Sequence, residues 1–441
     1  AWTALRGAKA VGGDDKVLDA ALLIFAVIAV RSLRHASDLA RMEDVVELLC
    51  TSMEISPDDD ILLPPPEEAE EGDEKTQRFS KSELSWARKL GLSKSDMTNL
   101  AMLRTSIQDS QVVLPDQIAS HRLLASESLV KVSETGYTLP STVTQSAVKA
   151  LVEELSQLSG ANEDFKPDRK VGFRHIYNCM RLLEGTNIQK QLSPAPDADE
   201  LRKDLVINLA RYTGLWPNLD ESMELALRLL ITITSDDVEM SESLSSEPNM
   251  IHNLLRLFVR WYKKKFHTTE SHSKSKKGKK KRESDIEVDP ETEEVPNLLE
   301  RVSMSLGLVT QLAKQVDSAK QHILETYLPM QRLCTSPPGE AEAQAHFLHG
   351  HIGILLAILC THDSSSRSQV IPYLRPRKAS AKDKTRALVE VVREFSSLLS
   401  TVVSKANERS SPEDEEYVGE VASDEGVLLA QTMVRKLESL L

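Results

Sequence analysis

Aromatic side chains are scarce in this chain: 8 Phe, 7 Tyr and 4 Trp make up 4% of its 441 residues. β-Sandwiches and propellers rely on such residues for strand packing, so both are disfavoured. Glycine (17) and proline (19) are too few for a fold built from many tight β-turns. The four cysteines, Cys50, Cys179, Cys334 and Cys360, are widely spaced and form no CxxC pair. That argues against a disulfide framework and fits a reducing intracellular compartment. Long apolar runs are missing too. The most apolar stretch, Leu18–Val30, has 13 residues and contains Asp19, whereas a bilayer span needs ~20. It reads as a buried helix. No basic start followed by an apolar block and a cleavage site appears. The chain opens at Ala1 already helical in character, so a fragment of a longer protein is expected.

What is present is helical material. Hydrophobic residues reach 40% and charged residues 27%, enough apolar mass for a sizeable core. Leu, Ala, Glu, Lys, Met and Arg, all good helix formers, dominate the ordered stretches. Lys and Arg total 54 against 67 Asp and Glu, a net charge of −13. The expectation is an acidic, soluble, all-α protein. Apolar spacing predicts helices near residues 16–33 and 40–53. An acidic, proline-rich break follows over Ser56–Glu74, read as a solvated loop because prolines cannot continue a helix and like charges repel. Ser80 and Glu83 form a capping box for a helix ended by Gly91. Further helices are expected near 96–108, 116–132, 142–158, 169–184, 198–212, 221–234 and 250–265. The stripes Leu201–Leu205–Leu209–Tyr212 and Met223–Ala226–Leu227–Leu230 follow the spacing of one buried helical face, as do Leu254, Leu257, Phe258 and Trp261.

Arg260–Arg282 then holds eleven basic residues against one acid, and Glu283–Glu294 holds seven acids and no base. Such a run has nothing to bury, and a disordered insertion over 266–296 is expected. Helical periodicity resumes at Asn297, with Leu308, Leu312 and Val316 in register. It continues through Ala341–Cys360, which carries Ile352, Leu355, Leu356 and Leu359. Leu388, Val391, Val392, Phe395, Leu398, Leu399 and Val402 make the clearest stripe. A final helix carries Leu429, Met433, Leu437 and Leu440. Helix pairs recur about every 40 residues, at 16–53, 117–158, 169–212, 220–265 and 366–406. That period belongs to HEAT and armadillo arrays, in which neighbours cover each other's apolar faces. An elongated array of irregular HEAT/armadillo-like helical repeats is therefore expected, with a compact multi-helix globule as the alternative.

No catalytic signature is found: no GxGxxG, Walker loop, HExxH or GxSxG. No enzyme and no cofactor are expected. The nearest metal-like grouping is His346, His349 and His351 with Cys360 and His362. On a continuous helix, Cys360 lies ~21 Å beyond His346, far from any Zn–S bond. Binding would need a break at Gly350 or Gly353, and histidines near a helix–helix contact are the simpler reading. The basic run Lys274, Lys276, Lys277, Lys279, Lys280, Lys281 and Arg282 is a candidate nuclear localisation signal or a solvated insert. Phosphate contact is less favoured, because no interleaved aromatics stack bases and the chain is acidic overall. Trp216, beside Pro217, marks a turn and is either a gap filler between helices or an interface anchor.

Several segments carry a resemblance: LDAALLIFAVIAVRSLRHASDL (18–39), YNCMRLLEGTN (177–187), ALRLLITITSDDVE (226–239), LGLVTQLAKQVDSAK (306–320), LHGHIGILLAILCTHD (348–363) and VIPYLRP (370–376). In this order the set resembles the C-terminal domain of the wings apart-like (Wapl) family of cohesin release factors, in a fungal or otherwise divergent form. The resemblance implies two helical lobes, 1–214 with an acidic loop at 56–78 and 215–441 with the charged insertion. It implies a nuclear, chromatin-associated, non-enzymatic protein of the cell cycle that promotes cohesin ring opening and so regulates sister chromatid cohesion. The implied partners are cohesin's kleisin, its stromal-antigen HEAT subunit, its ATPase head and the precocious-dissociation HEAT protein, with no sequence-specific nucleic acid and no membrane. Animal members carry FGF tripeptides upstream of this domain. None occurs here, since Val171 precedes Gly172-Phe173. A different helical-repeat adaptor with a nuclear localisation signal is the alternative.

Overall fold

The computed structural model describes residues 41, 43–55, 62–63, 119–160, 169–193, 197–215, 220–235, 237–247, 249–261, 298–330, 342–374, 378–409 and 424–441. Among these the fold is all-α apart from one short strand pair. The helices are α1 (Glu43–Met53), α2 (His121–Ser133), α3 (Ser141–Gly160), α4 (Arg169–Leu183), α5 (Ile188–Leu192), α6 (Ala198–Leu215), α7 (Asp220–Thr234) and α8 (Val238–Ser246). They continue as α9 (250–261), α10 (Leu298–Gln315), α11 (Asp317–Met330), α12 (Glu342–His362), α13 (Ser364–Val370), α14 (Ala381–Arg409) and α15 (Asp424–Glu438).

Most predicted helices within the described residues appear within a few residues of their expected bounds. Those at 16–33, 80–91 and 96–108 lie outside the described residues. Two expectations are corrected. The helix expected at 116–132 begins only at His121, because Ala119–Ser120 (β2) pairs antiparallel with Leu62–Leu63 (β1). That places two residues of the supposed solvated loop in a ladder. Pro64, Pro65 and Pro66 follow immediately and have no N–H to extend it. The helix pair expected at 366–406 is divided differently: α13 runs into a 3-10 turn, Ile371–Tyr373, that contains Pro372, and α14 starts at Ala381.

Helix ends are fixed by local chemistry. Asn187 Oδ1 accepts from Lys190 N at 2.9 Å before α5, and Asp237 Oδ1 accepts from Met240 N at 3.1 Å before α8. Asp363 accepts from both the backbone and the hydroxyl of Ser366, at 2.7 and 2.9 Å, before α13. Ser380 accepts from Asp383 N at 3.2 Å ahead of α14. Each satisfies an otherwise orphaned amide, worth about 1 kcal/mol. Gly185, with φ of +72°, turns the chain out of α4 in a conformation that a side chain rarely adopts.

The chain divides into two compact units: residues up to Tyr212 with Glu221–Leu229, and Thr213–Asp220 with Leu230 onward. In the first, α2 packs on α1, α4 and β2, while α3 packs on α1, α4 and α5. Every residue of α2 from Arg122 to Val130 is buried. In the second, α8, α10, α12 and α14 contact one another in succession, α11 packs on α13, and α12 and α14 both pack on α15. Helix α12 is the apolar centre, with Leu348, Ile352, Ile354, Leu355, Leu359 and Cys360 all buried. Of the broad stripe on α14, Leu388, Val392, Phe395 and Leu399 are buried, but Val391, Leu398 and Val402 are exposed. The predicted stripe spans a wider arc of the helix than its neighbours cover.

Candidate functional sites

Helix α12 runs unbroken through Gly350 and Gly353, so its histidines do not fold back on Cys360. The reason for the glycines is packing: a Cβ at Gly350 would sit 2.0 Å from the Phe395 ring, and one at Gly353 would lie 3.0 Å from Val391. His351 meets Phe347 and Phe395 edge-on, each with centroids 4.7 Å apart. Its Nε2 is buried without a hydrogen-bond partner, and burial lowers its pKa to about 4. Burial pushes the Cys360 thiol up to about 12. His362, at the far end of the helix, lies 3.8 Å from Asp317 and 3.3 Å from Asp363. His349 is half-buried, and the His346 side chain lies outside the described residues. Among the described residues no three His, Cys, Asp or Glu side chains converge on a metal position.

A polar cluster that periodicity does not reveal lies inside the first unit. His175 Nδ1 is 3.1 Å from Ser126 Oγ, Asn178 Nδ2 donates to the same oxygen at 3.1 Å, and Ser126 donates to Leu123 O at 3.0 Å. Cys179 Sγ lies 3.8 Å from His175 Nε2. A serine beside a histidine invites a nucleophile reading, but the geometry defeats it. His175, Ser126 and Cys179 are fully buried, with no surface left to a substrate. Burial, then the nearby Arg122 cation, lower the His175 pKa to about 3, so it is neutral and a poor base near pH 7. Burial raises the Cys179 thiol to about 12, which keeps it protonated and inert. Alongside, Arg122 forms a buried ion pair with Glu154. The cluster satisfies the polarity of the core.

On the surface of the same unit, α4 presents a charged face. Arg174 Nε donates to Glu127 Oε1 at 2.7 Å, and its guanidinium carbon lies 5.3 Å from the Tyr177 ring centroid. Arg181 lies 3.8 Å from Glu134 and 3.7 Å from Glu184. Glu134 also accepts from Lys131 at 2.7 Å, and Glu184 from Arg228 at 3.1 Å. Arg228 in turn reaches Glu224 at 2.9 Å. The charges thus alternate in a chain across α2, α4 and α7. Arg174, Tyr177 and Arg181 sit at i, i+3 and i+7, one face of a helix. That spacing was readable in the sequence but carries no apolar periodicity, so stripe analysis passes over it.

The candidate localisation residues Lys274, Lys276, Lys277, Lys279, Lys280, Lys281 and Arg282 lie outside the described residues, as does Trp216. Trp261 is buried with Leu254, Leu257 and Phe258, as its stripe predicts.

Among the described residues the protein is helical, with charged helix faces and exposed apolar side chains on its surface, while His175 and Cys179 and, in the other unit, His351 and Cys360 are enclosed by packed cores. No helix among the described residues is long and apolar enough to cross a membrane. The sequence matches the family described as "Wings apart-like protein regulation of heterochromatin" over residues 8–276, more than half its length, and the chain belongs to that family. No individual curated protein matches it. Membership places the chain among regulators of chromatin.

Proposed function

We propose that this chain is a non-enzymatic cohesin release factor: it docks on cohesin subunits, promotes ring opening and unloads the ring from chromatin. The family match over residues 8–276 carries this reading. The sealed cores support it, because they leave recognition to helix faces. The mechanism is a population shift. A scaffold that binds the open-gate ring more tightly than the closed one biases the equilibrium toward opening and needs no nucleotide of its own. The proposed partners are the kleisin, the stromal-antigen subunit, the ATPase head and the precocious-dissociation HEAT protein. Lobes 1–214 and 215–441, built from irregular helical repeats, are the proposed docking bodies. The basic run Lys274–Arg282 is the proposed nuclear import signal; replacing its lysines with glutamine in a fluorescent fusion should shift the protein from nucleus to cytoplasm.

The test is the amount of chromatin-bound cohesin in cells lacking the gene. Release activity predicts accumulation of salt-resistant cohesin, reversed by the intact protein. An unchanged chromatin fraction would favour an adaptor of some other pathway.

A further inference from the structure

Ser380 ends a basic run in the second unit. The sequence there is Arg375-Pro-Arg-Lys-Ala-Ser380, with arginines five and three residues before the hydroxyl and Lys378 two before it. Arg375 and Arg377 lie outside the described residues; the structure shows that the hydroxyl they precede is accessible. Ser380 and Lys378 are exposed, and Ser380 stands just before α14 rather than within it. Its Oγ donates to Asp383 Oδ2 at 2.6 Å and accepts from Asp383 N at 3.2 Å, both in the first turn of α14. Ser396 supplies the contrast: Arg393 also stands three residues before it, but Ser396 is buried in the middle of the same helix. The charge near Ser380 is unbalanced. Lys378–Arg386 holds four cations and one acid, Asp383, on a chain of net charge −13. Lys384 is buried and donates to the carbonyls of Ile371 and Pro372 at 3.1 and 3.3 Å, while Lys378, Lys382 and Arg386 are exposed. Cations at the amino end of a helix oppose its dipole, and an anion there is favoured.

We propose that Ser380 is a phosphorylation site for a protein kinase that selects basic sequences, and that its phosphate displaces the Asp383 carboxylate from the start of α14. Such a kinase holds its substrate by carboxylates that meet the basic side chains upstream of the hydroxyl. Helix ends fray at little cost, which lets the segment extend into the kinase cleft. In the transfer, Ser380 Oγ bonds to the γ-phosphorus of Mg-ATP, the bond from that phosphorus to the leaving ADP breaks, and the hydroxyl proton passes to the kinase's aspartate. The product carries ~1.5 to 2 negative charges. It lacks the proton that Ser380 gives to Asp383 and sets an anion against that carboxylate. Lys378, Lys382 and Arg386 are the exposed cations that pair with it. Most of the local cationic excess is thereby cancelled, which regulates any electrostatic contact made at this end of α14. The inference does not depend on which partners the chain docks on.

The test is reaction of the full chain with Mg-ATP and the catalytic subunit of cyclic-AMP-dependent protein kinase, with each site followed by peptide mass mapping. A free peptide of residues 373–384 reports whether the kinase accepts the sequence outside the fold. Ser380 of the folded chain should be modified at a rate within about tenfold of the peptide, because only a fraying helix end must open. Arg377→Gln should slow the transfer about tenfold, the loss expected for one charge-assisted contact. Ser396 should stay unmodified. Phosphorylation should raise the melting temperature of the D383N variant by more than that of the parent chain, since the variant has no carboxylate to repel the new anion. The chain recovered from cells that express it, with phosphatases inhibited, should carry phosphate on Ser380. A modified peptide beside an untouched folded chain, transfer to Ser396 in place of Ser380, full rate in R377Q, equal melting shifts with and without Asp383, or no phosphate on the cellular protein would each overturn the proposal.

Discussion

The two units bury a central helix by opposite means. In the first, α2 is enclosed although it carries Arg122, Ser126, Glu127 and Ser128 inside, each with a partner: Glu154, Leu123 O, Arg174 and Leu124 O. In the second, α12 is enclosed by apolar contact alone over most of its length, and glycines let α14 approach it closely. A polar centre depends on every pair being kept, since one orphaned charge in a dry interior costs more than the pair contributes. An apolar centre depends on volume, since a packed interior has no room for an added carbon. The first should tolerate coordinated replacement and the second should not.

The largest effect is expected at the Arg122–Glu154 pair. Glu154→Leu alone should cost about 4 kcal/mol by removing the carboxylate that faces the buried Arg122 guanidinium, while R122M/E154L should recover most of it. Urea unfolding of both variants measures this, and equal losses would erase the contrast. Next comes Gly350→Ala, expected to cost about 3 kcal/mol because Phe395 is buried and cannot retreat. Adding F395L should return part of the loss, a coupling that a double-mutant cycle reads directly.

Acid distinguishes the units more finely. His175 and His351 have folded-state pKa values lowered to about 3 and about 4 from an ordinary 6.5. The unfolded chain therefore takes up protons first as pH falls. The stability that these neutral histidines protect is complete above pH 6.5 and is lost downward, toward about 4 for His351 and about 3 for His175. Each contributes a slope of about 1.4 kcal/mol per pH step inside its window. H351F should flatten the pH 4–6.5 limb, and H175Q should also change it at lower pH. Unchanged slopes would mean that neither histidine is held neutral by the fold. The smallest effect belongs to Leu398 and Val402. Changing either to Thr should move stability by less than about 0.5 kcal/mol, because both are exposed.

The contrast between the centres also explains what the sequence could and could not disclose. Helices with one wet face, such as α7 and α9, were legible because the alternation of exposed and buried positions is written into their residues. The stripe reading of α12 found Ile352, Leu355, Leu356 and Leu359 but not the burial of Ile354, Ala357 and Ile358 around them, since a helix covered on all sides has no period. Helix α2 was legible as a helix, yet nothing in its own residues shows that Arg122 and Glu127 are buried against partners on α3 and α4. Those partners lie 32 and 47 residues away, and no local pattern reports such a distance. The histidines of α12 drew attention as a group by proximity along the chain. Helical geometry separates them, sending His351 into an aromatic contact and His362 to a position beside Asp317 and Asp363.

The most direct test of the functional account is isothermal titration calorimetry of the purified chain into the kleisin–stromal-antigen complex. The account predicts saturable one-to-one binding with a Kd of about 1 μM or tighter, or about 8 kcal/mol. No heat and no co-elution at tens of micromolar, with the chain melting cooperatively, would contradict it.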